Sequence, residues 1–432
     1  MIPMSRRRFL SLTSATVVAG CAGSTNSGAP TTPTTLTTTA DAVVTTTTVP
    51  GGAVTTATLP AGLIPGDHVL VIVELNGGND AVNTLIPDLG SYRDVRPTLA
   101  LAEQDILRVG SLPGHGLHPA LAPIVPLIDD GRVATIAAVG FDKPDRSHFT
   151  STDRWHRADR MDDTLGWLGR WFDSLDQDLP ALSATAFGHA GPALRGAENR
   201  PSAITSSASF AFPADISNAD IRALASSPID DPLLAAAQTA FVETVGAIEE
   251  FDPIADAVRA RAAQSGDGYR DFDALAGPFR TGLAVASELI RSEVGTSVVS
   301  VFGNGFDTHF QQAGQHAALL DDLAMGLAEF WATLDESGDA DRVLLLTTSE
   351  FGRRVAENGS AGSDHGSAGV SFLMGDAVDG RLFGTIDTDN PVDGDLEPQI
   401  DPRTIFTDCL DWLGGDVEVI LGDRHDDQSF FG

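Results

Sequence analysis

Short polar stretches of the chain hold side chains suited to acid–base or metal chemistry. They are Gly77-Gly78-Asn79-Asp80, Arg146-Ser147-His148-Phe149, Phe306-Asp307-Thr308-His309, Ser349-Glu350-Phe351-Gly352-Arg353 and Ser363-Asp364-His365-Gly366. Asp80, Ser147, His148, Asp307, His309, Glu350, Arg353, Asp364 and His365 together offer carboxylates, imidazoles, a hydroxyl and a guanidinium. Carboxylate mixed with imidazole suits zinc, manganese or iron, and carboxylate alone suits magnesium or calcium. Asp307 and His309 stand two apart, so an extended backbone puts both on one face. Glycines beside Asp80 and His365 permit tight loops that bring backbone close to a ligand. Each piece also has a plain structural reading. Asn79-Asp80 could cap a following element, Ser147 could cap a helix over Thr150–Arg157, Asp307-x-His309 could be a turn or cap, and Arg353 could pair with a surface carboxylate. What favours function is their gathering at one place, and that depends on the elements that carry them.

Those elements are predicted from apolar runs and periodicity. Val69–Leu75 is a continuous apolar run of strand length, of the kind buried on both faces of a sheet. Further strands are predicted at Val133–Val139, Ser297–Phe302, Arg342–Thr348 and Gly369–Met374. Helices are predicted at Pro119–Asp129, Arg280–Arg291, Ala317–Leu334 and Pro402–Leu413 from apolar residues at helical spacing. Strands alternating with helices predict an α/β fold, a mostly parallel doubly wound sheet with helices on both faces. Residues 181–275 interrupt the rhythm and read as an insertion or cap. In such a sheet, ligands bind beyond the carboxyl ends of the strands, and four predicted strands run straight into the polar stretches. No GxGxxG, P-loop or GxSxG motif is present.

The first 60 residues have a different character. Ser5-Arg6-Arg7-Arg8-Phe9-Leu10 followed by a short apolar run is a twin-arginine export signal over residues 1–20. The run is too short to span a bilayer. Val18-Ala19-Gly20-Cys21 resembles a bacterial lipobox, so Cys21 is expected to carry a lipid that anchors the exported protein to a membrane. Residues 21–60 are rich in Thr, Ser, Pro and Ala and read as a disordered tether. The folded domain is expected over 61–432.

Composition narrows the partners. The formal charge is −33, and the signal contributes Arg without acid, so the exported part is more acidic still. Such a field excludes nucleic acid as a partner and requires a local cation for any anionic substrate. With 42 % apolar residues and 21 Phe, a large core is available. If Cys21 is lipidated, Cys409 has no disulfide partner, and its apolar helical setting predicts a core residue.

The polar stretches quoted above, with the closing Asp411-Trp412-Leu413-Gly414 and Leu421-Gly422, resemble the bacterial family known as domain of unknown function 1501. The likeness runs over nearly all of residues 65–430, and Ser-Glu-Phe-Gly-Arg with Asp-His-Gly is its most specific part. That family is related to the alkaline phosphatase and sulfatase superfamily. The resemblance implies an alkaline phosphatase-like fold with one or two divalent metals, zinc, manganese, magnesium or calcium, and a nucleophile at the sheet edge. It implies Asp307, His309 and His365 at one metal, Glu350 and Asp80 at a second, and Asp364 beside them. It places Ser147 or His148 in the nucleophile segment, and Arg353 is expected to pair with the anionic group. The chain departs from the superfamily in having Asp307-x-His309 for a longer Asp-to-His spacing, and Glu350-Phe351 where Asp-His is usual. The expected function is therefore an exported, lipid-anchored metal-dependent hydrolase of a phosphate or sulfate ester. The alternative is a non-catalytic surface module that keeps the fold and binds a glycan or a partner.

Overall fold

The computed structural model describes residues 35–39, 42–46, 57–58, 66–88, 91–175, 177–204, 217–225, 229–265 and 278–432. The export signal over 1–20, Cys21 and most of the tether lie outside the described residues. Within the tether, β1 (Thr35–Thr39), β2 (Ala42–Thr46) and β3 (Ala57–Thr58) form a small antiparallel sheet, with Thr35 opposite Thr46. β-branched Thr and Val favour extended backbone, so these stretches are paired where the sequence reading expects no structure.

The main unit begins with β4 (Val69–Asn76). Its residues alternate between two cores. Val69, Val71, Val73 and Leu75 enter one, with the helices Pro278–Arg291 and Gln312–Ser337. Leu70 and Ile72 enter the other, with the helices His148–Arg157, Trp167–Asp173 and Pro402–Trp412. Burial on both faces is what a continuous apolar run requires. Helices therefore cover both sides of the sheet, and Cys409 is fully buried in the second core.

β5 (Leu85–Pro87) and β6 (His115–Leu117) make a separate antiparallel pair. The central sheet adds β7 (Val133–Val139), β8 (Ala184–Phe187), β9 (Ser202–Ile204), β10 (Val298–Asn304), β11 (Val343–Thr348), β12 (Gly369–Met374) and β13 (Leu382–Phe383). The strand order is β13-β7-β12-β11-β4-β10-β8-β9. β12 runs antiparallel to both its neighbours and every other pairing is parallel.

That single reversed strand matters for the site. Asn76 pairs with Asn304 and Thr348 with Glu74, so β4, β10 and β11 end nearly level. The first residue of β12, Gly369, pairs with Val139, the last of β7. Asp364 and His365, which precede β12, are thus delivered to the edge reached by the carboxyl ends of the parallel strands.

Two sequence expectations change. The region 181–275 is not wholly an insertion, because β8 and β9 are strands of the central sheet. They are only 4 and 3 residues long, too short to register as apolar runs. The helical remainder is Asn218–Ala225 and the long Pro232–Ser265. The helix predicted at Pro119–Asp129 divides into a 3-10 segment, Pro119–Ile124, and a short α-helix, Val125–Asp129. Pro123 and Pro126 lack the N–H that a continuous helix needs.

Candidate metal centre

At the shared edge the loops are packed backbone to backbone. Gly77 has φ +119°, and a Cβ there would stand 2.3 Å from the Asp307 nitrogen. A Cβ on Gly362 would stand 2.2 Å from the His309 carbonyl carbon. No side chain fits at either place, which brings the Asp80, Asp307 and Asp364 loops into direct contact.

The Asp307 carboxylate is the hub. Its Oδ1 lies 3.0 Å from His309 Nε2, 3.1 Å from His365 Nε2 and 2.8 Å from Arg353 Nη2. Its Oδ2 lies 3.6 Å from His148 Nε2. His309 Nε2 and His365 Nε2 are 2.9 Å apart. Ligand atoms of His148, Asp307 and His365 all fall within 4.8 Å of one another.

The opposite nitrogen of each imidazole is already committed. His148 Nδ1 donates to Glu350 Oε1 at 2.7 Å, His365 Nδ1 to the Arg146 carbonyl at 2.8 Å and His309 Nδ1 to Asp364 Oδ1 at 3.2 Å. None of these acceptors carries a proton to give, so Nδ1 holds the hydrogen and each Nε2 of a neutral ring presents a lone pair. Three lone pairs therefore face one carboxylate. The His148 Nε2 is buried without a hydrogen-bond partner among the described residues. Beyond the Arg353 guanidinium on Asp307 Oδ1, a proton on one ring or a metal ion would offset electron-rich atoms packed this closely.

The donor set fits a divalent metal. Imidazoles that hold a metal nearly always donate their other N–H to a carboxylate or carbonyl, as all three do here. Nitrogens about 2.0–2.1 Å from a tetrahedral zinc stand roughly 3.3 Å apart, within the range of spacings around Asp307. Burial opposes ionisation of Asp307, but the Arg353 guanidinium bonded to it prevails and holds its carboxyl below the usual carboxylate range. The Glu350 hydrogen bond raises His148, against burial.

The structure sorts the sequence candidates into distinct positions. His148, Asp307, His309 and His365 converge, with His148 supplying a nitrogen where it had been expected in the nucleophile segment. Glu350 and Asp364 act on the imidazoles from behind. Glu350 also accepts from the Gly77 and Gly78 amides at 2.9 and 3.2 Å, and Asn358 steadies Asp364 at 3.0 Å.

Asp80 is not brought to the cluster. Its carboxylate is fully buried, bonded to Arg96 and Gln312 and accepting from the Val82 amide at 3.2 Å, so it caps the short helix Ala81–Thr84. That corrects its expected role as a ligand, along with the second metal it was to share with Glu350. Arg353 is likewise not free for an anion. It is fully buried, and its guanidinium bonds the carbonyls of Gly77, Gly78, Phe306 and Ser363 as well as Asp307. It ties loops from three strands together. Ser147 stands at the N-cap of His148–Arg157 without bonding the first-turn amides, and the helix begins at His148 rather than Thr150.

A second buried cluster lies beneath the helix that presents His148. Glu74 on β4 pairs with His156 Nε2 at 2.7 Å and accepts from Ser300 Oγ at 2.8 Å, with His189 Nε2 at 3.4 Å. The sequence reading passes over it, although a lone acid inside an apolar strand signals a buried partner. Burial pushes Glu74 up, but the charges of His156 and His189 prevail and lower it to about 2. Glu74 raises His156 despite its burial.

The signs give a pH window. The Glu74 contribution is fully present above its ordinary value of 4.5 and is lost as pH falls toward about 2. The His156 contribution is present below its ordinary 6.5 and is lost as pH rises through its elevated folded value. Glu74→Gln is therefore expected to lower Tm most between these limits, at a cost of about 3–5 kcal/mol for a broken buried pair. Thermal melts of both proteins across pH check this, and a difference in Tm that does not vary with pH would contradict it.

The sequence pattern described as protein of unknown function DUF1501 matches residues 127–428. No curated protein matches the chain. Among solved structures, similarity is found to a protein of the alkaline phosphatase superfamily from Vibrio parahaemolyticus, at 8 % identity and TM-score 0.37, covering 83 % of this chain and 69 % of that one. A phosphonate monoester hydrolase from Silicibacter pomeroyi matches at 9 % identity and TM-score 0.34, covering 84 % and 78 %. The lipoteichoic acid synthase from Listeria monocytogenes matches at 10 % identity and TM-score 0.31, covering 81 % and 72 %.

Proposed function

The chain belongs to the DUF1501 family of proteins of unknown function, and from that premise we propose that it is a divalent-metal-dependent hydrolase of phosphate or sulfate esters, with His148, Asp307, His309 and His365 holding the cation. The observation that carries the reading is the set of three Nε2 atoms turned toward Asp307 with every Nδ1 anchored. A divalent cation held by these residues would polarise the ester oxygen and offset charge in the transition state.

The chain's own groups do the rest. Glu350, Asp364 and the Arg146 carbonyl fix the tautomers and aim the rings. Arg353 keeps Asp307 ionised and in place. The helix His148–Arg157 points its N-terminus at the same edge, where first-turn amides favour an anion. The Ser147 hydroxyl, with no hydrogen bond among the described residues, is free to attack the ester or to position water. This local positive character is what an anionic substrate needs on a chain of charge −33. The proposal also has the domain work outside the cytoplasm. The twin-arginine segment would direct its export and a lipid on Cys21 would hold it at the membrane, a reading that rests on Ser5-Arg6-Arg7 and Val18-Ala19-Gly20-Cys21.

Hydrolysis of generic phosphate and sulfate esters is expected to vanish with chelator and return with added metal. Glu350→Gln, which weakens the anchor on His148, is expected to lower metal affinity or kcat/KM by roughly 10–100-fold. Metal bound without turnover of any ester would favour the non-catalytic binding module. Undiminished turnover in metal-free protein would overturn the proposal.

A further inference from the structure

His148 is the first residue of the helix His148–Arg157, so the place of its imidazole depends on how that helix is seated. The seat is not close-packed. A small cavity separates the helix from the ends of β4 and β11, lined in part by Glu74, Thr152, Trp155, His156, Ser349 and Glu350. Ser151, Trp155 and His156 are the buried residues of the helix, and Trp155 is the one large apolar side chain among them. Ser151 bonds back to the Asp145 carbonyl just ahead of the helix, and Arg154 and Arg157 bond the Lys143, Asp142 and Asp163 carbonyls on either side of it. Two bonds reach the sheet from the far end of the helix. Trp155 Nε1 donates to the Glu350 carbonyl at 3.1 Å, and His156 Nε2 meets Glu74 Oε2 at 2.7 Å.

The first of these bonds closes a ring. Glu350 takes His148 Nδ1 on its carboxylate at 2.7 Å and Trp155 Nε1 on its carbonyl, so one residue grips the helix at its first residue and again about two turns on. The second bond lies beside it. Glu74 pairs in the sheet with Thr348, the last residue of β11, from which the chain runs on through Ser349 to Glu350. Where packing beneath a helix is incomplete, directed bonds in a low-dielectric interior decide its place. Resting on the metal-centre reading above, we infer that Trp155 and the Glu74–His156 pair are positioning residues that hold His148 Nε2 in its place by Asp307 Oδ2, 3.6 Å away. They stand behind the cluster and act through His148 and Glu350.

The test is titration of the full chain with cobalt(II), whose visible spectrum reports the geometry of its ligands as well as its affinity. Trp155→Phe keeps an aromatic ring and loses the N–H. His156→Phe keeps a ring and loses the bond to Glu74, which retains Ser300 and His189. Leu327→Ala, in the core on the opposite face of the sheet, controls for lost stability alone. Each of the first two is expected to shift the cobalt bands and to weaken cobalt binding about 3–10-fold, below the roughly 10–100-fold of Glu350→Gln. Leu327→Ala is expected to lower Tm and leave band positions and affinity unchanged. Either positioning variant suffices if the other does not fold. Parental spectrum and affinity in these variants, or the same shift in Leu327→Ala, would overturn the positioning role and leave the metal centre standing. A wild-type chain that takes up no cobalt would overturn both.

Discussion

Replacing Asp307 with alanine is expected to abolish tight metal binding and ester hydrolysis while leaving the protein folded. This carboxylate touches His148, His309, His365 and Arg353 together, so its loss removes a ligand and the hub that brings the imidazoles within reach. The effect should exceed the roughly 10–100-fold of a change behind the ligands, such as Glu350→Gln. The fold should survive because the Asp307 side chain is 46 % exposed and Arg353 retains its carbonyl partners. Metal titration beside circular dichroism checks both halves. An Asp307→Ala protein that binds zinc like the parent, or that fails to fold, would contradict this role.

Asp80→Ala should do the reverse. It leaves the fully buried Arg96 without its carboxylate and frees the Gln312 amide that the same carboxylate holds. Burial opposes ionisation of Asp80, but Arg96 keeps its carboxyl below the ordinary range, so the pair is charged in the fold. Removing one partner of such a pair costs about 3–5 kcal/mol, and the expected result is a marked fall in denaturant midpoint. Metal bound per folded chain should not change. Loss of metal with unaltered stability would return Asp80 to the ligand set that the family resemblance implies.

The two acids stand in similar loops after parallel strands, and the one local sign that separates them is His309, two residues beyond Asp307. Both meet a buried arginine, and what separates them in the fold is the three imidazoles that gather round Asp307 alone. The strands themselves were legible because Val69–Leu75, Val133–Val139 and Arg342–Thr348 are apolar runs that both cores demand. The reversal of β12 was not, since direction is set by pairing rather than composition, yet it brings His365 to the edge. Arg353 was legible as a guanidinium beside the site but not as a clamp. Most of its acceptors are carbonyls of Gly77, Gly78, Phe306 and Ser363, and a backbone carbonyl leaves no mark in a sequence. His148 shows the converse. Placed by the family resemblance in the nucleophile segment, it brings a nitrogen toward Asp307 from the first turn of the helix that follows β7. Glu74 was available to sequence reasoning, as a lone acid in a buried strand.

The central claim is that imidazoles and Asp307 hold one divalent cation, and elemental analysis of the purified chain beside Asp307→Ala tests it most directly. About one tightly held ion per wild-type chain is expected, and none above background in the variant. Wild-type protein that neither retains nor takes up a divalent metal, or an Asp307→Ala variant with the same content, would contradict it.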